Sequence, residues 1–311
     1  MPLPIDLRFL GRPQVIATAA IPVRDGVVLV DPGPTSCRAA LEHGLSAHGY
    51  RMADVRALLL THIHFDHAGA AGTLAHAHPG LPVYVHEIGA KHLASPEKLV
   101  ASATRLYGAE MDRLWGEFRA VPPEALRPLK GGEMLEIAGC RFDVRYTPGH
   151  AVHHVSYRDE GDGTVYVGDA AGISVRPGYV LPATPPPDID LERWALTLDT
   201  LEAWRASRLF LTHYGEVADP VGHLASYRIA MGRAAEEARR ALETDGDDAS
   251  RCAGWVAWLR KDARGVLSED EARTIEAAAP FEQLWQGLER YWRKRSEFGG
   301  AALDGSRAGT S

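Results

Sequence analysis

Short apolar runs separated by polar turns dominate the first part of the chain. The run from Val15 to Ile21 is followed by a turn at Arg24-Asp25-Gly26 and a second run over residues 27–30. An Asp-Gly turn between two apolar runs is typical of a β-hairpin. The pattern therefore predicts that the chain opens with paired strands.

Strands and helices then alternate. The pattern predicts a helix over about 37–48, a strand at Leu58-Leu59-Leu60, a helix over 69–77 and a strand over 82–85. Ser36 is the candidate N-cap of the first of these helices, and Gly49 is its candidate end. Such alternation predicts an α/β architecture.

The second half begins with strands again. Four short runs, a helix and a last strand are predicted at 134–137, 140–146, 155–157, 164–167, 190–206 and 208–211. The chain thus reads as two half-domains, each with a small sheet and helices.

Two segments leave alternatives open. Residues 95–118 carry loosely spaced apolar positions typical of one or two amphipathic helices, which either pack on the body or form a lid near a site. Residues 176–190 are rich in proline, which excludes helix or central strand. This segment is either a rigid surface connector or a stiff pocket wall, with Tyr179 as a candidate substrate contact.

The composition changes from about residue 219. Helices are predicted over 221–243, 248–262 and 268–298, the last one broken near Pro280. One face of the final helix carries a stripe formed by Phe281, Leu284, Trp285, Leu288 and Trp292. We expect this stripe to pack on the body of the same chain, and we expect residues 299–311 to be disordered.

Composition narrows the classes of function. The chain has 311 residues, 45% hydrophobic and 24% charged, which is ordinary for a soluble globular protein. Its net charge of −7 disfavours nucleic acid or an anionic membrane as the main partner. A small-molecule substrate is the expected partner, and a homodimer is left open.

The cysteines and the chain's apolar content favour the cytoplasm. Cys37, Cys140 and Cys252 are isolated, and their odd number disfavours a disulfide framework. The first ten residues lack the apolar run of a signal peptide, and no apolar stretch is long enough for a membrane span.

Candidate metal-binding side chains are concentrated in residues 61–69, directly after the apolar run over 55–60. Its pattern, H-x-H-x-D-H, places His62, His64, Asp66 and His67 within six residues. Imidazole nitrogens and a carboxylate suit zinc, iron or manganese. This stretch predicts a metal site at the end of a strand.

Three later strand ends supply more residues of the same kind. His150 follows the strand that ends at Tyr146, Asp169 follows Val167, and His213 follows Leu211. Strands of one sheet bring their ends to one edge, so these residues can converge. Seven ligands fit two ions, one held by His62, His64 and His150, the other by Asp66, His67 and His213, with Asp169 bridging.

The order of these motifs resembles the metallo-β-lactamase superfamily, and among its members the glyoxalase II-like and lactonase-like branches. The resemblance rests on H-x-H-x-D-H, then T-P-G-H, a G-D pair and T-H-Y-G. It implies a four-layer αββα sandwich over residues 1–218, with the seven residues named above as metal ligands. Residues 219–298 would then form a C-terminal helical extension.

The function expected from this resemblance is a dinuclear metal-dependent hydrolase, with zinc preferred and iron or manganese open. A metal-bridging hydroxide would cleave an ester, thioester or lactone. Asp66 would bind metal and also orient the nucleophile or carry a proton, so it is the candidate catalytic residue. Tyr179 and Tyr214 are candidate substrate contacts.

Two other functions stay open: an iron-dependent persulfide dioxygenase of the same superfamily, and a nuclease. Asp66-His67 differs from the glutamate-containing pattern of flavodiiron oxygen reductases, which disfavours a redox role. His153 and His154 follow His150 closely, and we expect them to be structural.

Overall fold

Two six-stranded sheets form the centre of the protein. The computed structural model describes residues 1–304, with side chains up to residue 296. The first sheet has the order β1-β2-β3-β4-β5-β6, with strands Leu3–Asp6, Ala17–Val23, Gly26–Val30, Val55–Leu59, Val83–His86 and Leu126–Leu129. Its first three strands pair antiparallel, and β3 to β6 run parallel.

The second sheet comes from the second half of the chain. Its order is β14-β13-β10-β9-β8-β7, with β7 Met134–Ile137, β8 Cys140–Tyr146, β9 Val155–Asp159, β10 Thr164–Tyr166, β13 Arg208–Leu211 and β14 Gly215–Val217. Strands β10 and β13 are parallel, so both of their carboxyl ends point to one edge.

Helices cover the outer face of each sheet. On the first sheet lie α1 Arg38–Ala47, α2 Phe65–Ala68, α3 Ala71–Ala77, α4 Glu87–Ala94, α5 Glu97–Tyr107 and α6 Met111–Trp115. On the second lie α7 Leu191–Ala203, α8 Pro220–Glu243, α9 Asp248–Arg264, α10 Glu269–Ala278 and α11 Phe281–Asp304.

Strand alternation explains the layers. Ala19 and Ile21 of β2 point between the sheets, where they meet Phe142 and Tyr157, whereas Ala20 points to the outer helices. Three apolar layers result, one between the sheets and one under each set of helices. The αββα sandwich with additional C-terminal helices predicted from the sequence is confirmed.

The stripe of α11 packs on the same chain. Phe281, Leu284, Trp285 and Leu288 are buried in one core with Trp194 of α7. Helix α11 runs on to Asp304, and the rest of the segment predicted to be disordered, residues 305–311, lies outside the described residues. The boundary at residue 218 stays a prediction.

Local details differ from the sequence-based expectations. Residues 173–181 form a hairpin of two strands, β11 Ile173–Arg176 and β12 Tyr179–Leu181, so the proline-rich segment becomes irregular only after Leu181. Ser36 is not the cap of α1, because its hydroxyl donates to the carbonyl of Leu114. The strands β1, β6 and β14 and the helix α4 were not predicted.

Candidate metal centre

The predicted ligand residues lie at strand ends on one edge of the sandwich. Strand β4 ends at Leu59, and the chain then runs through His62 and His64 into the short helix α2, which carries Asp66 and His67. The second sheet contributes the other three from the loops that follow β8, β10 and β13: His150, Asp169 and His213. The structure therefore brings all seven together in two groups.

The first group consists of His62, His64, His150 and Asp169. Nε2 of His150 lies 2.9 Å from Nδ1 of His64 and 3.2 Å from Nε2 of His62. Nε2 of His62 and Nδ1 of His64 are 3.0 Å apart. A carboxylate oxygen of Asp169 approaches the same point, 3.4 Å from Nε2 of His150.

Hydrogen bonds on the far sides of two rings determine what faces inward. Nδ1 of His150 donates to the carbonyl of Ala183 over 2.8 Å, so its Nε2 carries a lone pair in the neutral ring. The hydroxyl of Thr61 donates to Asp31 over 2.7 Å and therefore accepts from Nδ1 of His62 at 3.1 Å. Two lone pairs thus face each other, an arrangement that is repulsive unless a cation lies between them.

The second group consists of Asp66, His67 and His213. Nε2 of His213 lies 3.1 Å from Oδ2 of Asp66, while its Nδ1 donates to the carbonyl of Val15. Nε2 of His67 lies 3.3 Å from Oδ1 of Asp169. Because Asp169 approaches rings of both groups, it is the residue that connects them.

Two buried atoms of this centre lack a hydrogen-bond partner. They are Nε2 of His67 and Oδ1 of Asp169. Buried polar atoms are nearly always satisfied, so each orphan calls for a partner. Imidazole nitrogens and carboxylate oxygens that converge at these separations fit divalent ions of the zinc, iron or manganese type.

The protonation states of the first group also suit metal binding. Burial and the neighbouring histidines lower the pKa of His62 well below its usual value, and burial lowers the pKa of His64 to about 3. Burial opposes a charge on Asp169, but His67, His150 and His213 together hold its pKa well below the usual range. Neutral rings beside ionised carboxylates are the states in which these side chains bind metals.

The carboxylates also act on His67. Burial works against a protonated ring, but the charges of Asp169, Asp66 and Asp31 outweigh it and raise the pKa of His67 well above its usual value. The same negative potential attracts a cation to this position.

Asp31 is a component of the centre that the sequence did not reveal. Its fully buried carboxylate accepts hydrogen bonds from the backbone and hydroxyl of Thr61, from Nδ1 of His67 and from the hydroxyl of Thr212. It thereby joins the ends of β3, β4 and β13. In the sequence it stands in an Asp-Pro-Gly turn, and only its position after a strand hinted at a role.

Two glycines let the ligand loops approach closely. Gly149 has φ +134°, and a Cβ there would lie 2.5 Å from the Cα of Trp194. Gly168 has φ +48°, and a Cβ there would lie 2.8 Å from Nε2 of His154. The residue before His150 and the residue before Asp169 must therefore lack a side chain.

The two further histidines are buried beside the centre, and their structural role stays a prediction. His154 is buried, and its Nδ1 lies 2.9 Å from the hydroxyl of Thr147. His153 is buried beside the first group, with its ring centroid 5.9 Å from that of His64. Neither belongs to the two ligand groups of the described residues.

A cavity of about 480 Å³ opens beside the centre. Its wall includes Pro185, Pro186 and Pro187 and residues of α5 and α6, so the proline-rich segment and residues 95–118 both border it. Tyr179 is buried among the C-terminal helices, and Tyr214 packs at the margin of the core between the sheets. Neither tyrosine is among the residues that line this cavity, and their contact with substrate stays a prediction.

Comparison with known proteins identifies the family. The sequence model of the metallo-beta-lactamase superfamily matches residues 16–213, more than half of the chain. The chain belongs to the metallo-beta-lactamase superfamily. The matched segment runs from the residue before β2 to His213, so it contains all seven residues of the two groups.

Curated relatives in this superfamily share part of the sequence. A metallo-beta-lactamase fold-containing protein, ST1585 of Sulfurisphaera tokodaii, is 33% identical over 132 residues, which are 42% of this chain and 49% of the relative. A hydroxyacylglutathione hydrolase of Xanthomonas campestris is 30% identical over 180 residues, 57% of this chain and 54% of the relative. The chain thus spans about half the length of the curated relatives it matches.

Solved structures of superfamily proteins are similar over almost the whole chain. The metallo-beta-lactamase family protein TTHA1429 from Thermus thermophilus has a TM-score of 0.70 at 23% identity, covering 95% of this chain and 93% of that one. The archaeal protein ST1585 has a TM-score of 0.62 at 21% identity, covering 93% and 97%. This likeness concerns the fold, and it extends beyond residue 213 into the C-terminal helices.

The helices also bear on membrane insertion. Of those in the described residues, none combines the length and apolar character needed to cross a bilayer.

Proposed function

We propose that this protein is a metal-dependent hydrolase that cleaves an ester, a thioester or a lactone. The observation that carries the proposal is the pair of inward-facing nitrogens on His62 and His150, 3.2 Å apart, whose far sides are already hydrogen-bonded. A cation between them removes the repulsion of their lone pairs. The adjoining cavity provides the space for a substrate.

Two divalent ions account for the whole donor set. His62, His64 and His150 would hold one ion, Asp66, His67 and His213 the other, and Asp169 would bridge them. When bound, such ions lower the pKa of water to about 7 and place positive charge beside a carbonyl oxygen. Zinc is the metal we propose, with iron and manganese as the alternatives that the same donors accept.

Asp66 is the residue of this centre that we assign to orienting the attacking water. Its carboxylate borders the cavity. Burial alone would raise its pKa, but His67 and His213 lower the pKa of Asp66 to about 2. The side chain therefore stays ionised and accepts a hydrogen bond. In this position Asp66 would orient the attacking water or carry a proton to the leaving group.

The relatives support the class of reaction. Those named hydroxyacylglutathione hydrolase are, by that name, hydrolases of an acylated glutathione. Acyl transfer to water is the chemistry that esters, thioesters and lactones have in common. The three cysteines are all free in the structure, which supports the cytoplasm as the proposed compartment. We propose a small-molecule substrate, and a homodimer stays a prediction.

A screen of metal-reconstituted protein against aryl esters, acyl thioesters and lactones tests the proposal. His64→Ala and Asp169→Ala should abolish turnover while leaving the circular dichroism spectrum unchanged. His43→Ala, an exposed histidine on α1, is the matched control and should keep full activity. Full activity in His64→Ala would contradict the assignment.

The two alternative functions have their own signatures. An iron-dependent persulfide dioxygenase would hold one iron and consume oxygen when given a persulfide. A nuclease would degrade RNA oligomers under the same conditions. Oxygen uptake or RNA cleavage without hydrolysis of any acyl substrate would replace the hydrolase proposal.

A further inference from the structure

Proposed metal ligands line one side of the cavity beside the metal centre. His64, Asp66, Asp169 and His213 form part of its wall, and its volume is about 480 Å³. Pockets of this size enclose most of a small ligand. A substrate whose carbonyl reaches the centre must therefore place the remainder of its acyl or leaving group in this cavity.

Most of the remaining wall is apolar and comes from four separate segments. These are the N-terminal residues 9–16, helices α5 and α6, the prolines at 185–187, and residues 277–284, where α10 ends and α11 begins. Each methylene group that moves from water into such surroundings strengthens binding roughly fourfold. The wall thus favours a chain of methylene groups over a polar one.

Charged side chains are sparse in this wall. Lys98 is the single Lys or Arg among its described residues, and its side chain is exposed to solvent. Outside the centre, Asp188 is the single acidic residue of the wall in the described part of the chain. A carboxylate or phosphate buried in the cavity would lack a paired cation, which is costly. The interior therefore disfavours charged substrate groups.

The C-terminal helices form part of the cavity wall. The hydroxyl of Tyr107 at the end of α5 donates to Oε1 of Gln283 in α11 over 3.3 Å. The Tyr107 ring also packs edge-on against Trp115, with centroids 5.2 Å apart. This link ties α5 to α11 across the wall, so the turn at 277–280 is held in place as one side of the cavity.

Resting on the proposed function, we propose that the substrate carries an uncharged, apolar acyl chain of medium length, and that Ala277 and Ala278 at the end of α10 determine the chain length accepted. Both alanines lie in the cavity wall and are partly exposed there. A larger side chain at either position fills space that the substrate would occupy. The C-terminal helices are then substrate-binding elements.

The test uses full-length, metal-reconstituted enzyme and 4-nitrophenyl esters from acetate to decanoate. In wild type, kcat/KM should rise about 30-fold or more from acetate to octanoate. Ala277→Phe should lower kcat/KM for octanoate about tenfold or more and leave acetate within about twofold. Ala278→Leu, a smaller change, should act in the same direction. Ala257→Phe, an exposed alanine of α9, is the matched control and should change neither value.

A pair of substrates, one charged and one uncharged, tests the polarity of the cavity. The mono-4-nitrophenyl ester of adipate should react about tenfold more slowly than the hexanoate ester, which differs mainly by the absent carboxylate. Equal rates for these two, or a flat profile from acetate to octanoate, would overturn the inference while leaving the hydrolase proposal intact.

A binding measurement distinguishes the proposed hydrolase function from the inference about the cavity. Octanamide, which is uncharged and resists hydrolysis, is titrated into full-length protein while tryptophan fluorescence is followed. Ala277→Phe should weaken its binding about tenfold, whereas Ala257→Phe should not. If no acyl substrate is hydrolysed but octanamide binds in this manner, the proposed function fails and the inference on the cavity stands. If octanamide does not bind to wild type, the inference fails.

Discussion

Asp31 and His67 are in direct contact in the interior, with Nδ1 of His67 donating to Oδ2 of Asp31 over 2.7 Å. Both side chains are inaccessible to solvent. The bond sets the ring so that Nε2 faces the centre, where that atom has no partner in the protein. Among the proposed ligands, the carboxylate of Asp31 has a hydrogen bond with His67 alone. Its influence on the centre therefore runs through His67, Thr61 and Thr212.

Asp31→Asn tests this influence. An asparagine amide keeps the volume of the carboxylate but removes its charge and replaces one of the two accepting oxygens with an NH2 donor. The four donors that surround Asp31 then lack acceptors, and the orientation of His67 is lost. We expect metal affinity to fall about 10–100-fold, measured by competition with a chromophoric chelator.

Asp25→Asn is the matched control for that substitution. Asp25 is exposed in the turn between β2 and β3, and Asp31 directly follows β3. Its variant should bind metal as wild type does. Equal metal affinity in both variants would contradict a role for Asp31 in metal binding.

The sequence was informative where chemistry follows apolar strands. His62, His150, Asp169 and His213 each come soon after a run that the apolar pattern identified, and the structure brings these strand ends to one edge. The direction of parallel strands makes such convergence predictable without any knowledge of contacts.

The elements that were missed depend on tertiary contacts. Strands β1 and β6 are the two edges of the first sheet, and each contains a proline, Pro4 and Pro128. Edge strands tolerate proline and show little alternation, so pairing with a neighbour defines them. The same limit applies to the hairpin of β11 and β12, which pair only with each other.

Gly168→Ala tests the close approach beside Asp169. A side chain there meets the hydroxyl of Thr61 and the ring of His154 and adopts an unfavourable positive φ. We expect a loss of about 1–3 kcal/mol in the free energy of unfolding, measured by urea denaturation, together with weaker metal binding.

The control for that glycine is Gly254→Ala. Gly254 lies inside α9 with open space around it. Alanine there should stabilise the protein by about 0.5–1 kcal/mol. A Gly168→Ala variant that is as stable as Gly254→Ala would show that the loop adapts and that the glycine is dispensable.

Trp285→Ala tests whether α11 shares a core with the sandwich. Trp285 is buried beside Trp255, with ring centroids 6.0 Å apart, in the apolar layer that also holds Trp194. Removal of a large aromatic side chain should lower the free energy of unfolding by about 3–5 kcal/mol, again measured by urea denaturation. The unfolding should remain one transition, because the C-terminal helices and the second sheet bury the same layer.

The neighbouring residue provides the comparison. Gln286 is exposed on the same helix, and Gln286→Ala should change stability by less than about 0.5 kcal/mol. Two separate transitions in Trp285→Ala would indicate instead that the C-terminal helices unfold on their own.

Elemental analysis of reconstituted protein tests the central claim most directly. Protein is loaded with zinc, iron or manganese, freed of loosely held metal and analysed for bound ions. Two ions per chain are predicted for wild type, one for each group of ligands, and His64→Ala and Asp66→Ala should each retain fewer. Wild-type protein that retains no transition ion under any of these conditions would contradict the account.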